Sequence, residues 1–162
     1  MTDFEDLYQR YARDVYRFAL YLSGNTAQAE DIASETFVRV WTMRDTIRVA
    51  SVKAYLFTIA RNLHHDGQRR AARQVELPEY LLDPGPSPEV EARDRQALDA
   101  VLRALQQIPE VDRAALLMRA QDGLPYEEIA RALGLSLAAV KVKVHRARLR
   151  IAELRDPDSR TS

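Results

Sequence analysis

The chain contains no cysteine among its 162 residues, and this absence excludes several kinds of site. Disulfide frameworks, zinc sites built from thiolates and cysteine nucleophiles all require that side chain. The pair His64 and His65 beside Asp66 does not replace them, because adjacent residues of a helix point about 100° apart. No further ligand cluster is evident in the sequence, so we expect no metal site.

Glycine is also scarce, at five residues, and no glycine-rich phosphate-binding loop is present. The sequence shows neither a nucleophile triad nor a paired-carboxylate arrangement. We therefore expect a protein that is not an enzyme and that carries no cofactor.

The chain also lacks a long uncharged apolar run. A helix needs about 20 consecutive apolar residues to cross a bilayer, so we expect no membrane insertion. The N-terminus, MTDFEDLYQRYARD, is acidic and amphipathic, unlike a secretory signal peptide, which favours a cytoplasmic location. The 46% hydrophobic content is sufficient for one ordinary domain or two small ones.

A net charge of zero conceals a segregation of charge along the chain. Residues 1–37 and 74–99 are acidic, with net charges of −4 and −5. Residues 38–73 and 137–155 are basic, with net charges of +6 and +5. Two separated positive segments can contact a polyanion at two places, while the acidic segments serve other partners or autoinhibition.

Apolar residues recur at helical spacing in the first half and predict three amphipathic helices. Gly24 ends the first helix, Asn25 can cap the second, and Ser51 can cap the third after a short loop at residues 44–51. Four prolines and a glycine within residues 77–88 then mark a linker. Further helices follow, so we predict an all-α chain of two small helical domains.

Residues 126–150, YEEIARALGLSLAAVKVKVHRARLR, have the spacing of a helix-turn-helix. Ala130 allows two helices to cross closely, Gly134 suits a turn with positive φ, and Val140 completes a small core. Ser136 can cap the second helix, whose outer side chains would enter a DNA major groove. These side chains are Leu137, Ala138, Lys141, Val142 and His145, flanked by Lys143, Arg146, Arg148 and Arg150 as candidate phosphate contacts. Nucleic-acid binding is the first hypothesis; a plain helical hairpin with a solvated basic face is the alternative.

The third helix carries an aromatic ring between cations. Lys53, Phe57 and Arg61 lie opposite its core stripe, followed by His64 on the same face. An exposed ring among positive charges suits unpaired bases, which stack on the ring while the cations hold phosphates. The alternative is that Phe57 packs beneath a neighbouring loop. Gly67 stands near the end of this helix, where a helix-forming residue is more usual, so the sequence does not determine at which residue the helix ends.

Two blocks of the chain, taken together, form a specific pattern. The first is AEDIASETFVRVW at residues 29–41 followed by KAYLFTIARNLHHDGQRR at residues 53–70. The second is IPEVDRAALLMRAQDGLPYEEIARALGLSLAAVKVKVHRARLRI at residues 108–151. Together they resemble the sigma factors of bacterial RNA polymerase, in the small extracytoplasmic-function (ECF) subfamily of the sigma-70 class. The resemblance spans about residues 4–154.

The resemblance implies a domain plan. Residues 1–74 would form a region 2-like three-helix domain that docks on core RNA polymerase and binds and melts the −10 promoter element. Residues 75–91 would be a flexible linker. Residues 92–155 would form a region 4-like helix-turn-helix domain that reads the −35 element, and residues 156–162 would be a tail. The expected partners are core RNA polymerase, promoter DNA as duplex and as melted strand, and an anti-sigma factor.

The resemblance also implies site residues. Docking on core polymerase would use the outward stripe of the second helix, namely Asp31, Glu35, Val38 and Arg39. The single-stranded −10 element would be bound by Arg48, Lys53, Phe57, Arg61 and Asn62. The −35 duplex would be read by Ser136, Leu137, Ala138, Lys141, Val142, Lys143, His145, Arg146 and Arg148. Val142 and Lys143 depart from the small polar residue and arginine of many relatives, so the −35 sequence itself is not implied.

Two other functions fit parts of the sequence. One is a helix-turn-helix transcriptional regulator that uses only its second half for DNA and its first half for dimerisation or ligand binding. A ligand domain would have no need of a basic aromatic face such as that of Lys53, Phe57 and Arg61. The other is an enzyme acting on nucleic acid, which the lack of a metal or nucleophile constellation disfavours.

Overall fold

The computed structural model describes residues 4–43, 51–71 and 89–155. They form seven helices and, within these ranges, no strand, which confirms the all-α prediction. The helices are α1 (Phe4–Ser23), α2 (Thr26–Thr42), α3 (Val52–Ala71), α4 (Glu89–Gln106), α5 (Glu110–Leu116), α6 (Tyr126–Leu133) and α7 (Leu137–Arg155).

Two parts of the sequence-based description fall outside these ranges. Arg48, expected to bind the −10 strand, is not among the described residues, and neither are residues 72–88 of the proline-rich stretch. The end of the expected linker is described, and residues 89–91 already belong to α4.

The helix ends follow local side-chain chemistry. Asn25, Ser51 and Ser136 each accept a hydrogen bond from the backbone amide three residues later, at 2.9, 3.2 and 3.1 Å. Gly24 and Gly134 end α1 and α6 with φ of 74° and 67°, a left-handed conformation that glycine adopts without steric cost. These contacts confirm the predicted caps and the helix-turn-helix turn.

Two helices differ from simple expectation. α3 continues through Gly67 to Ala71, where the sequence left its end open. After Leu116 the backbone of α5 widens into a π-helical turn, Leu117–Gln121, which Asp122 ends. Such turns are rare and often lie at functional positions. Here the turn places Asp122 between the two halves of the chain.

The first half, α1 to α3, and the second half, α4 to α7, share one apolar core. Within the first half α1 packs on α2 and α3, but α1 also contacts α4 and α5, and α3 contacts α6. Phe18 of α1 and Phe57 of α3 stack at its centre, with ring centroids 4.5 Å apart and planes 13° apart. The core continues through second-half residues such as Leu102, Met118 and Ile129. The described helices therefore form one packed body.

The helix-turn-helix core agrees with the sequence prediction. Ile129 and Ala130 of α6 are buried against Val140 of α7, and Val144 and Ala147 continue the same stripe. One face of α7 is consequently fixed against the domain, and the opposite face is left at the surface.

Two of the glycines with open surroundings, Gly134 and Gly67, give a matched test of backbone strain. A Cβ atom added at Gly134 or Gly67 meets nothing within 4 Å, so only backbone conformation separates the two sites. Gly134→Ala should lower the free energy of unfolding by about 1–2 kcal/mol, because its φ is positive. Gly67→Ala should raise it by about 0.5–1 kcal/mol, because alanine favours a helix interior. Urea denaturation followed by circular dichroism measures both, and equal effects would contradict the turn geometry.

Candidate nucleic-acid interface

The outer face of α7 brings together most of the residues expected to read duplex DNA. Leu137 and Val142 are 38% and 53% exposed, which is unusual for aliphatic side chains of this size. The other exposed members of this face are Ser136, Ala138, Lys141 and His145. A helix with free polar and methyl-bearing side chains on one face has the form that a major groove accepts.

Two cations of α7 are held by a buried carboxylate. Asp112, in the first turn of α5, is 4% exposed. Its oxygens lie 3.4 Å from the Nζ atom of Lys143 and 3.2 Å from the Nη2 atom of Arg146. Arg148 is exposed, and Arg150 pairs with Glu153 of the same helix at 3.1 Å. The expected phosphate contacts on α7 thus differ in how strongly the protein already engages them.

Tyr126, the first residue of α6, contacts two cations that sequence reasoning did not connect. The guanidinium carbon of Arg119 lies 4.2 Å from the ring centroid, and the Nζ atom of Lys141 lies 5.8 Å from it. Arg119 is in turn held by the carbonyl of Leu124 at 3.1 Å. Cation–π attraction of this kind restrains Lys141 on the outer face of α7. The non-helical turn between Arg119 and Tyr126 interrupts the periodicity that could have revealed the contact.

The prediction of an exposed aromatic ring on α3 is wrong. Phe57 is fully buried and stacks on Phe18, and His64, expected on the same outer face, is 5% exposed. Phe57 is buried against α1 of its own half, and α6 of the second half also packs on α3, so α3 is enclosed on more than one side. Burial also lowers the pKa of His64. Asn62 remains exposed on this helix.

Arg61 is engaged by the second half. Its Nε and Nη2 atoms donate to the two carboxylate oxygens of Glu110, both at 2.8 Å, and His65 Nε2 lies 3.0 Å from the same carboxylate. Burial would raise the pKa of Glu110, but the hydrogen bonds and charges of Arg61 and His65 outweigh burial and hold that pKa below its ordinary value. Glu110 is therefore a carboxylate, paired in the bidentate geometry that arginine also uses with phosphate.

Lys53 lies between two carboxylates, one from its own half and one from the second half. Its Nζ atom is 3.5 Å from Asp14 and 3.9 Å from Asp122, and Arg17 Nη2 is 3.7 Å from Asp122. The Asp122 side chain is fully buried, and neither of its oxygens has a hydrogen-bond partner among the described residues. Burial raises the pKa of Asp122 to about 6, although Lys53 and Arg17 oppose that rise.

The outward stripe of α2 lies at the surface. Asp31, Glu35 and Val38 are exposed, Val38 by 53%, and Arg39 is half-buried with its Nε atom 3.8 Å from Glu35. Val38 also borders a groove of about 620 Å³ between α1 and α2. Its other large lining side chains are Phe4, Tyr8, Tyr16, Phe37 and Trp41.

Comparison with known proteins identifies the family. Residues 7–74 match Sigma-70 region 2, and residues 98–151 match Sigma-70 region 4. The chain is 37% identical over 160 residues to the ECF RNA polymerase sigma factor SigL of Mycobacterium tuberculosis strain H37Rv, covering 91% of this chain and 88% of that protein. The chain belongs to the ECF sigma factors of the sigma-70 family.

Two further comparisons extend this result. This sigma factor is 36% identical over 161 residues to the ECF sigma factor SigE of Mycolicibacterium smegmatis, covering 96% of this chain but only 62% of SigE. It is 26% identical to the sigma factor RpoE in the co-crystal structure of RpoE with the anti-sigma factor NepR from Bartonella quintana, with a TM-score of 0.77. That superposition covers 98% of this chain and 99% of RpoE, so it includes both halves.

The family assignment confirms the resemblance read from the sequence. Sigma factors are transcription initiation factors, so the alternative of a free-standing regulator does not describe this chain. Within the described ranges, no helix of this sigma factor has the length and apolar character that crossing a membrane requires.

The buried Asp122 makes a pH prediction. Its folded-state pKa of about 6 lies above the ordinary value, so the folded state binds the proton more tightly than the unfolded state does. The resulting stability is fully present below about pH 4 and is lost as pH rises through about 6, on the order of 3 kcal/mol. Asp122→Asn should therefore stabilise the protein at pH 7.5 more than at pH 4.5.

The measurement is urea denaturation of wild type and Asp122→Asn at both pH values. Taking the difference between the two proteins cancels the contributions of Glu110 and His64, which titrate in both. If Asp122→Asn changed the free energy of unfolding equally at the two pH values, the pKa of Asp122 would not be raised in the folded state, and the prediction would be refuted.

Proposed function

We propose that this sigma factor binds core RNA polymerase in the cytoplasm and directs it to promoters through a −35 duplex element and a melted −10 element. The observation that carries the proposal is the free outer face of α7 in a chain that also has a region 2 domain. The domain limits follow the sequence expectation: residues 1–74 for region 2, 75–91 for the linker, 92–155 for region 4 and 156–162 for the tail. The protein acts by positioning the polymerase, without chemistry of its own.

For the −35 element, we assign base readout to the centre of the α7 face. Lys141 can donate to guanine O6 and N7, His145 can donate or accept at a base edge, and Val142 can pack on a thymine methyl group. Ser136, Leu137 and Ala138 lie at the helix N-terminus, where recognition helices approach bases and phosphates. Arg148 is assigned as an exposed phosphate contact, whereas Lys143 and Arg146 already pair with Asp112, which competes with phosphates for them.

For the melted −10 strand, we retain Lys53, Arg61 and Asn62 on α3, together with Arg48 in the preceding segment. Phe57 does not fit a stacking role. Its ring lies on Phe18 of the same half, so separation of the two halves leaves that ring face covered. We assign Phe57 to the core. Bases would then meet α3 through its cations and amide group.

For polymerase docking, we assign the α2 stripe of Asp31, Glu35, Val38 and Arg39. An exposed valine flanked by charges is typical of a protein contact whose apolar centre is surrounded by a polar rim. The stripe lies beside the α1 and α2 groove, so the two can form one continuous contact. The complex of RpoE with NepR supports an anti-sigma factor as a further partner, because that sigma factor aligns with this chain over nearly its full length.

The decisive experiment uses purified core RNA polymerase and a library of promoter fragments. The chain should co-elute with core polymerase and start transcripts from a subset of fragments that share two elements. A chain that binds duplex DNA but neither co-elutes with polymerase nor starts transcripts would contradict the proposal.

Lys141→Ala tests base readout on α7. Loss of the ammonium removes a donor to base edges, so preference at particular −35 positions should relax by about 1–3 kcal/mol per base pair. Competition between −35 variants for the holoenzyme measures this. Equal weakening on all variants would refute base readout by Lys141.

Arg148→Ala is the matched control on the same helix. As a phosphate contact it carries no sequence information, so affinity should fall on every promoter variant. The slope of log affinity against log salt should decrease in magnitude by roughly 0.9.

Val38→Asp tests docking on the polymerase. A carboxylate in an apolar contact loses burial and must be desolvated, so affinity for core polymerase should fall about tenfold or more. Val101→Asp on α4 is the control, since Val101 is 48% exposed against 53% for Val38. Fluorescence titration with core polymerase measures both affinities, and similar losses would place the contact elsewhere.

A further inference from the structure

We propose that the first turn of α5 is an internal competitor for DNA, in which Glu110 and Asp112 occupy cations of α3 and α7 that promoter phosphates would otherwise bind. We call these two residues the α5 acidic pair. The inference rests on the proposed function, because that function gives the cations of α3 and α7 their role in DNA binding.

The α3 side of the competitor is the Glu110 contact. Arg61 makes both of its 2.8 Å hydrogen bonds to this one carboxylate, and its side chain is 15% exposed. A guanidinium presents one such fork toward a planar or tetrahedral oxyanion. Arg61 therefore cannot hold Glu110 and a strand phosphate in the same bidentate geometry. Because Glu110 belongs to the second half, this contact exists only while the two halves are packed.

Hydrogen bonds from Arg113 and Gln106 to backbone carbonyls of α1 hold the halves in register around Glu110. Arg113, one turn further along α5, donates to the carbonyl of Leu22 at the end of α1. The Nε2 atom of Gln106 lies 3.3 Å from the carbonyls of both Tyr21 and Leu22. These contacts place Glu110 opposite Arg61 without involving any cation assigned to DNA.

The α7 side of the competitor is Asp112. It lies two residues from Glu110 but points to the other surface, where it pairs with Lys143 and Arg146. All three residues belong to the second half, so this contact persists when the halves separate. A −35 phosphate must therefore compete with Asp112 for these two cations. One helical turn thus neutralises cations on both DNA-reading surfaces.

The contact between Arg61 and Glu110 is one that DNA can displace. The side chains of Arg61 and Glu110 are 15% and 24% exposed, so a competing phosphate can reach the pair from solvent. A promoter strand brings several phosphates and releases counterions, which a single carboxylate does not. Internal pairing should therefore suppress weak binding of the free protein to random DNA while leaving cooperative binding on the polymerase possible.

The test uses the full chain with Glu110→Gln, which keeps the side-chain shape and removes the charge. Asp99→Asn is the matched control, because Asp99 is exposed on α4 and makes the same change in net charge. The chain has no cysteine, so Gln9→Cys and Ala152→Cys, at exposed positions of α1 and α7, give one defined label pair. Spin-label distances then report separation of the halves.

Glu110→Gln should broaden the label distances toward larger values and tighten binding to a fluorescein-labelled thymidine 20-mer by about three- to tenfold. The magnitude of its salt slope should rise by about 0.7, as expected for one freed cation on a single strand. Asp99→Asn should match wild type in both measurements. Unchanged distances and affinity in Glu110→Gln, even with a lower melting temperature, would make Glu110 purely structural and overturn the inference for α3.

Asp112→Asn tests the α7 side independently. Binding to a random 20-base-pair duplex should tighten by about three- to tenfold, and the salt slope should steepen by up to about 0.9 for each of the two cations. Weaker duplex binding would instead show that Asp112 orients Lys143 and Arg146 for DNA, which contradicts competition.

The outcomes also separate this inference from the proposed function. Wild-type protein that starts transcripts with core polymerase, together with acidic-pair variants that behave like Asp99→Asn, would refute the competitor and leave the function standing. Wild-type protein that starts no transcripts, together with variants that gain affinity for DNA, would refute the function and leave the internal pairing standing.

Discussion

A buried guanidinium, that of Arg113, joins the two halves of this sigma factor. It donates to the carbonyl of Leu22 in the last turn of α1 and to the carbonyl of Ile108, which precedes α5. The last turn of α1 has no basic residue of its own, so its carbonyls and the negative end of its dipole are complemented by a cation from the other half. Burial lowers the pKa of Arg113, while Glu110 opposes this. A charge in such a place is tolerated only while its partners stay in contact.

The position of Arg113 determines what surrounds it. With α5 fixed against the end of α1, Glu110 faces Arg61, the π-helical turn places Asp122 between Arg17 and Lys53, and α6 covers α3. The resulting interface combines a shared apolar core with a periphery of charged pairs. Interfaces between domains are commonly of this polar kind and permit relative motion. Packing of the halves therefore uses Lys53 and Arg61, the α3 side chains to which we assign the melted strand.

The DNA-reading surfaces of the two halves consequently differ in accessibility. The α7 face is free because the small core of α6 and α7 buries the opposite side of the helix. The α3 face is occupied because a second domain lies on it. In the packed state the face of α7 to which we assign duplex readout is exposed, whereas access to the α3 cations that we propose for the melted strand requires the halves to separate.

Local chemistry determined what the sequence alone could predict. The caps at Asn25, Ser51 and Ser136, the positive φ of Gly134 and the buried stripe around Val140 each depend on residues a few positions apart. Hydrophobic periodicity reports such relations directly, so the helices, the helix-turn-helix and the free face of α7 follow from it. The two-domain plan followed from the resemblance of two sequence blocks to the sigma factors, and each block is likewise a local pattern.

Only the tertiary structure decided whether the face of α3 that carries Phe57 and Arg61 is exposed or buried. Periodicity separates a helix face that is buried by its own domain from the opposite face, but it contains no information about a second domain that covers the latter. Arg61 and Glu110 are 49 residues apart in the chain, and the ring that covers Phe57 is that of Phe18 in another helix. The sequence pattern of a basic aromatic face is the same whether its cations bind a nucleic acid or carboxylates of their own chain, because both partners offer negative oxygens to those cations.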